Sequence, residues 1–319
     1  MKDRWGREIE YLRISITESC NLCCRYCMPD GPCKTKNSLL SYDEIEEVVR
    51  AGAGLGIKYI KVTGGEPLVR KDCDQLIRRL KKVSGIEKVT LTTNGQLLTE
   101  QIERLKAAGV DGINISLDTM NPAAYKELTG YDGLSKVLEG IEAGLLSTIP
   151  IKVNCVAFKG HSDWKTVLLL ARDRKLDVRF IEVMPLGQGK NFESEDCLQI
   201  LEEIKNIYPG TTRDERKHGQ GPAVYYQIPG FSGSVGVISA LHGPFCQSCN
   251  RLRVTSAGFL KTCLCYNDGI NLRPFLGKKD GMAALRATIK KVVWDKPKAH
   301  CFDQPEKITE SHKMGEIGG

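Results

Sequence analysis

The chain has 319 residues, 41% hydrophobic and 27% charged, which is ordinary globular composition and long enough for one large domain or a domain with an extension. A chain of this size buries roughly 75% of its unfolded surface, so its 13 cysteines are not needed as disulfide staples. No apolar leader opens the chain and no run nears the roughly 18 apolar residues of a membrane span, so the expectation is a cytoplasmic metal protein. The net charge of +7 is spread without a basic tract, which favours a small anionic ligand over nucleic acid.

The first half reads as repeated strand–helix units. Tyr11–Thr17 is a β-rich run ending at a cysteine cluster. Tyr42–Leu55 has helical spacing, with Ser41 and Glu44 as a capping box. Lys58–Thr63 is a strand stopped by Gly64-Gly65, and Asp72–Val83 a helix. Lys88–Thr93 is a strand ended by Asn94-Gly95, and Thr99–Ala108 a helix ended by Gly109. Gly112–Leu117 is the fourth strand, followed by helices Asn121–Leu128 and Leu134–Leu145. Ile151–Phe158, helix Asp163–Arg174, strand Val178–Met184 and helix Ser194–Tyr208 complete the series.

Six strands alternating with helices imply an α/β fold with a parallel sheet, curled as a partial (β/α)6 TIM-type barrel over residues 1–210. Polar and glycine signals fall at the strands' C-terminal ends, the rim where such sheets bind ligands. After about Thr211 the pattern changes to glycine, proline and short strands, including Gly233–Ser239 and a hairpin Leu252–Thr262 turning near Ala257-Gly258. A helix near Met282–Val293 and a polar tail follow. Residues 211–319 read as an extension packed across the open rim.

Two cysteine patterns carry chemistry. Cys20, Cys24 and Cys27 form C-x3-C-x2-C; Cys246, Cys249 and Cys263 form C-x2-C-x13-C. Three thiolates on a cubane leave its fourth iron open to a small molecule, and thiolate is the soft ligand that iron–sulfur clusters select. Structural zinc is the alternative for both, because Cys23 makes the first register ambiguous and a ribbon suits the second. Cys155 reads as core. Cys33, Cys73, Cys197 and Cys301 read as bystanders, and Cys265 stands beside a proposed ligand.

Cys20-Asn-Leu-Cys-Cys24-Arg-Tyr26-Cys27-Met-Pro, Thr63-Gly-Gly-Glu-Pro67, Thr92-Thr-Asn-Gly95 and Asn114-Ile-Ser-Leu-Asp118 resemble the radical S-adenosylmethionine superfamily. Cys246-x2-Cys249-Asn-Arg251-Leu-Arg253, Cys263 and the terminal Gly318-Gly319 resemble, within it, the GTP 3′,8-cyclase family of molybdenum-cofactor biosynthesis. The resemblance implies two [4Fe-4S] clusters on the two trios. S-adenosylmethionine would lie at the first, lined by Tyr26, Gly65, Ser116 and Met184. GTP would lie at the second, surrounded by Arg13, Lys61, Thr92, Lys152, Arg251, Leu252 and Arg253. Its reaction would be hydrogen abstraction from ribose C3′ by a 5′-deoxyadenosyl radical and attack on guanine C8. Arg13, Arg251, Arg253 and a tail wedge of Gly318 and Gly319 would serve catalysis. A flavodoxin- or ferredoxin-type electron donor is implied, and a homodimer is left open. Lys61 stands where the family usually has arginine, exchanging a bidentate contact for a point charge. The rival readings are a peptide-modifying radical maturase and a non-catalytic metal module.

Overall fold

Polar and apolar residues alternate along the first six strands, each of which pairs with the next in the chain. The computed structural model describes residues 1–29, 31, 38–160, 163–242 and 246–318; Cys33 and Gly319 lie outside them. Strands β1 (Tyr11–Ser15), β2 (Tyr59–Thr63), β3 (Lys88–Thr93), β4 (Ile113–Ser116), β5 (Ile151–Ala157) and β6 (Asp177–Glu182) are parallel and adjacent in chain order. The connections hold helices α1 (Tyr42–Ala53), α2 (Cys73–Lys81), α3 (Leu98–Ala108), α4 (Pro122–Thr129), α5 (Leu134–Leu146) and α6 (Trp164–Asp173); α7 (Cys197–Ile207) follows β6. The capping box of α1 is present, with Glu44 N donating to Ser41 Oγ at 3.1 Å and Ser41 N to Glu44 Oε2 at 2.7 Å.

The extension supplies β7 (Thr212–Arg213), β8 (Val224–Gln227), β9 (Val235–Ile238), β10 (Arg251–Val254), β11 (Phe259–Lys261), β12 (Gly269–Asn271), helix α8 (Gly281–Trp294) and the short α9 (Met314–Ile317). Its strands join the main sheet at both edges. β9 pairs in parallel with β6, and β10 in parallel with β1. Each covers an edge that would otherwise expose unpaired backbone groups. The result is one twelve-stranded sheet in the order β12-β11-β10-β1-β2-β3-β4-β5-β6-β9-β8-β7. Its eight central strands are parallel and the outer pairs antiparallel. Among the described residues no pairing joins β12 to β7, so the sheet does not close on itself.

Strand alternation divides the sheet's two faces. Leu12, Ile14, Ile60, Val62, Val89, Leu91, Ile113, Ile115, Val153, Cys155 and Phe180 belong to one buried apolar core. Full burial of such a side chain contributes roughly 1.5–3 kcal/mol. The residues between them, Arg13, Lys61, Thr92, Asn114, Lys152 and Arg179, face a cavity of about 1470 Å³. No helix of the described residues is long and apolar enough to cross a membrane.

Candidate active site

The first cysteine trio sits on the loop that leaves the C-terminal end of β1. A turn brings Cys27 N to Cys24 O at 2.9 Å, and Met28 N to the same carbonyl at 2.8 Å. The loop is anchored on α4, where Cys23 N donates to Thr129 O and Arg25 N to Leu128 O, each at 2.9 Å. Cys20, Cys24 and Cys27 line the cavity; Cys23 does not, its Cβ lying against Gly130 instead. The x3-x2 trio, and not Cys23, is therefore what the cavity meets.

The neighbouring motifs converge on that loop. Gly65 N donates to Thr17 O at 2.7 Å and Glu66 N to Ser19 O at 2.8 Å. A Cβ on Gly65 would stand 2.5 Å from Ser19 O, so only glycine allows this approach. Glu66 is fully buried, and its carboxylate accepts from Thr93 Oγ1 at 2.7 Å, Asn94 N at 2.6 Å and Leu68 N at 3.0 Å. Burial pushes it up to about 7 against the pull of these donors. Asn94 Nδ2 donates to Asn21 Oδ1 at 2.8 Å and approaches Cys20 Sγ at 3.8 Å. Tyr26 donates its hydroxyl to Asp118 Oδ2 at 2.8 Å, and its ring packs 4.7 Å from that of Phe158. Burial raises Asp118 to about 6. Tyr26, Gly65, Ser116 and Met184 all line the cavity beside the trio.

The second trio lies at the other end of the strands. Asn250 O, one residue past Cys249, accepts from Glu10 N and Tyr11 N at 3.2 Å each, at the N-terminal start of β1. Cys249 N donates to Cys246 O at 3.2 Å, and His300 N to Cys246 Sγ at 3.3 Å. Burial would raise the Cys249 thiol, but the Arg251 and Lys296 cations overcome it and hold it lowered to about 7. Cys265 turns to Cys301, its Sγ 3.2 Å from Cys301 Sγ in a small apolar cluster against which Cys263 packs. The trio borders the cavity through Arg251, Arg253 and Leu264, so one chamber runs from one set of thiols to the neighbours of the other.

The donor chemistry fits iron–sulfur clusters better than zinc. A tetrahedral zinc ion with Zn–S near 2.3 Å draws its sulfurs to about 3.8 Å apart. Neither trio brings all its ligand atoms within 4.8 Å of one another; among the described residues the one group that does so is Glu182, Asp196 and His242. That group is already satisfied internally. Glu182 accepts from Leu241 N at 2.6 Å and from His242 Nδ1 at 3.0 Å, and Asp196 caps α7 through Leu198 N.

Between the trios, strand register lays polar side chains in rows across the inner face. One row is Arg253, Arg13, Lys61 and Thr90. The next is Thr92, Asn114, Lys152 and Asp177, and a third is Ser116, Asn154 and Arg179. Burial, followed by mutual repulsion, lowers Lys61 and Arg253 well below their usual values. Arg13 is brought down to about 10 by burial against the opposing pull of Tyr11. Lys152 is held by Asp177 at 2.6 Å, by Tyr225 Oη at 3.0 Å and by the His218 carbonyl. Such a concentration of buried cations is matched by a polyanion.

The tail reaches the same chamber. Gly318 is buried with φ +77°, and its carbonyl accepts from the Arg253 guanidinium at 2.8 Å. A Cβ there would stand 2.8 Å from Thr63 Cγ2. Gly319 lies outside the described residues. Leu252 is 1% exposed and belongs to the apolar core, on the opposite side of β10 from Arg251 and Arg253. Sequence reasoning passed over Arg179 and Asn154 and gave Asn114 no role beyond its motif, yet all three line the cavity. The Arg179 Nε is buried without a partner among the described residues. Its only signal was alternation in V-R-F-I, which equally suits a solvent-facing arginine.

Residues 14–172 match the Radical SAM superfamily, and residues 176–302 match the Molybdenum Cofactor Synthesis C family. The chain is 42% identical over its whole length to a GTP 3′,8-cyclase of Clostridium perfringens (strain 13 / Type A), and covers all of that protein. It is 40% identical to one of Alkaliphilus oremlandii, again over the whole of both chains, and 38% to one of Geobacter sulfurreducens over 99% of each. In fold it is similar to Streptococcus suis SuiB. The structure bound to S-adenosylmethionine gives a TM-score of 0.64 at 16% identity, over 95% of this chain and 77% of the other. The structure bound to precursor peptide SuiA gives 0.65 at 16% identity, over 92% of this chain and 66% of the other. With full-length relatives at this identity and the motif residues gathered around one chamber, the chain belongs to the GTP 3′,8-cyclase family of the radical S-adenosylmethionine superfamily.

Proposed function

We propose that the chain converts GTP to 3′,8-cyclo-7,8-dihydro-GTP, the first step of molybdenum-cofactor biosynthesis. The observation that carries this is one chamber with a thiol trio at one end, Arg251, Arg253 and Leu264, the chain neighbours of a second trio, at the other, and buried cations between them. Cys20, Cys24 and Cys27 would hold one [4Fe-4S] cluster and Cys246, Cys249 and Cys263 a second. When bound, the first cluster and S-adenosylmethionine supply the 5′-deoxyadenosyl radical that abstracts hydrogen from ribose C3′.

The protein's own groups position the reactants and keep out water. Tyr26, Gly65, Ser116 and Met184 orient S-adenosylmethionine at the rim. Arg13, Lys61, Lys152 and Arg179 receive the triphosphate, where charge-assisted hydrogen bonds contribute on the order of 1.5–3 kcal/mol each. Thr92 offers a hydroxyl on the same face, and Leu252 is left with its backbone. Arg251 and Arg253 stand beside the second trio, where the guanine base would lie. An arginine there stabilises charge or donates a proton as C8 is attacked. Gly318 sets a side-chain-free segment against Arg253, and Gly319 would continue it. A flavodoxin- or ferredoxin-type protein would supply electrons.

The test is anaerobic reconstitution followed by incubation with GTP, S-adenosylmethionine and a reductant. Formation of 5′-deoxyadenosine that depends on GTP, together with the cyclised nucleotide, is the expected result. Cleavage of S-adenosylmethionine indifferent to GTP would overturn the assignment.

A further inference from the structure

The backbone around the second cysteine trio is tied together by two buried cations that lie outside the nucleotide rows. Lys296, 2% exposed, follows the C-terminal end of α8. Its ammonium donates to the carbonyl of Arg251 at 3.0 Å and to that of Thr262. Arg251 comes two residues after Cys249, and Thr262 immediately precedes Cys263. One ammonium therefore spans the two separate limbs that carry these ligands.

Arg7 secures the third ligand. Its guanidinium donates to the carbonyls of Cys246 and Lys298 at 2.9 Å each and of Pro297 at 2.6 Å. Trp5 Nε1 donates to Lys296 O at 2.9 Å, so the N-terminal segment holds residues 296–298 from outside. The two cations differ in one respect. Arg7 is paired with Asp3 at 2.6 Å, whereas Lys296 has no carboxylate within ion-pair distance among the described residues. A buried ammonium compensated by carbonyl dipoles alone is costly. An anionic metal–thiolate assembly alongside would supply the missing charge.

We propose that Lys296 is a positioning residue for the cluster held by Cys246, Cys249 and Cys263, clamping two of its ligand limbs and raising its reduction potential through a fixed positive charge. This rests on the reading of that trio as cluster ligands. Reduction adds an electron to the cluster, and a nearby cation stabilises the more negative state. Arg7 shares the clamping role, but its charge is already neutralised by Asp3.

The experiment compares reconstituted parent, Lys296→Met and Lys296→Arg proteins by iron content and by redox titration followed by electron paramagnetic resonance. The second cluster is recognised as the one that persists in the Cys24→Ala protein. Lys296→Met is expected to shift that cluster's potential to more negative values and leave the first cluster's in place, while Lys296→Arg retains the parent potential. An unchanged second-cluster potential in Lys296→Met overturns the proposal, because loss of packing alone would not act through charge. If Lys296→Met does not retain the second cluster, Lys296→Arg decides. Retention at the parent potential upholds the charged clamp, and a shift or loss there rejects it. A parent protein that assembles one cluster only overturns the reading of the trio, and this proposal with it.

Discussion

Arg253 donates from its guanidinium to the carbonyl of Gly318 at 2.8 Å, joining the cationic row of β10 to the end of the chain. Ile317, just before it, is buried in a small apolar cluster with Leu186, Leu264 and Phe302. Gly315 packs so closely on the cysteine loop that a Cβ would meet Met28 Sδ at 2.6 Å. The tail thus touches the elements that carry both thiol trios.

This geometry sets the first prediction. Gly318 has a positive φ and no room for a Cβ beside Thr63. Gly318→Ala adds roughly 1–3 kcal/mol of backbone strain before the clash is counted. Cyclisation should fall by roughly tenfold or more, while iron content stays at the parent value. Deleting both terminal glycines should abolish cyclisation with the clusters intact. Full activity in either protein would remove the tail from the mechanism.

Gly65→Ala tests the other close approach. Its Cβ would stand 2.5 Å from Ser19 O and 2.6 Å from Glu18 O, both backbone atoms on the loop leading to Cys20. Neither can move without displacing that loop. The variant should lose about 1–3 kcal/mol of stability and bind S-adenosylmethionine more weakly, as measured by equilibrium dialysis. Wild-type affinity would show that the loop yields more easily than its hydrogen bonds imply.

Glu66 supplies a pH dependence whose sign can be worked out. Its folded carboxyl is raised from the ordinary 4.5 to about 7, so the folded protein holds that proton more tightly than the unfolded chain does. Stability from this group is greatest below about pH 4.5 and falls as pH rises toward about 7, by roughly 3 kcal/mol in total. Asp118, raised to about 6, acts in the same direction at lower pH. Glu66→Gln removes the titration, so denaturation should show the variant gaining on its parent between about pH 5 and pH 7.5. A parent–variant gap that does not change with pH would contradict the raised carboxyl.

Much of this arrangement was legible in the residues because its signals are local. Cys20, Cys24 and Cys27 share one short loop, and the strands that end at Gly64-Gly65, Asn94-Gly95 and Asp118 each announce themselves by alternation and a stop. The family likeness set Arg251, Leu252 and Arg253 together at the nucleotide, but strand alternation turns Leu252 into the core. What could not be read was long-range register. The pairing of Tyr11 with Arg251, which brings the second trio to the foot of β1, joins residues with no shared local pattern. Lys296 and Arg7 are silent for the same reason, since their carbonyl partners carry no side-chain signature. Arg179 was missed because one arginine in an apolar strand gives no sign of which face meets the cavity.

Arg179 is therefore a residue whose role the structure can test independently of the motifs. It lines the cavity from β6 with its Nε buried, and Gly236 on β9 leaves space for its stem, since a Cβ there would lie 2.9 Å from Arg179 Cγ. Arg179→Ala should weaken GTP binding by roughly tenfold to a hundredfold, as one charge-assisted contact is lost. Arg179→Lys should restore only part of it, because a point charge cannot reproduce a planar fork. Titration calorimetry on the reconstituted protein reads both, and unchanged affinity in Arg179→Ala would exclude it from the phosphate site.

A buried ion pair keeps the tail in place. Lys261 on β11 and Glu310 in the C-terminal segment form an ion pair with both side chains wholly buried. Lys261 also donates to Tyr266 O at 2.8 Å, and Glu310 accepts from His312 N at 2.8 Å and from His312 Nδ1 at 2.7 Å. Breaking a buried pair on one side leaves the other charge stranded, which costs about 3–5 kcal/mol. Replacing both partners by apolar groups costs far less, because no charge is then left without a partner. Glu310→Ala should expose the last residues to limited proteolysis and lower cyclisation, while Lys261→Met with Glu310→Leu should recover protection. The double replacement separates the two explanations. If it leaves the tail as open to protease as Glu310→Ala does, the pair itself holds the segment; if protection returns, the harm comes from the uncompensated lysine.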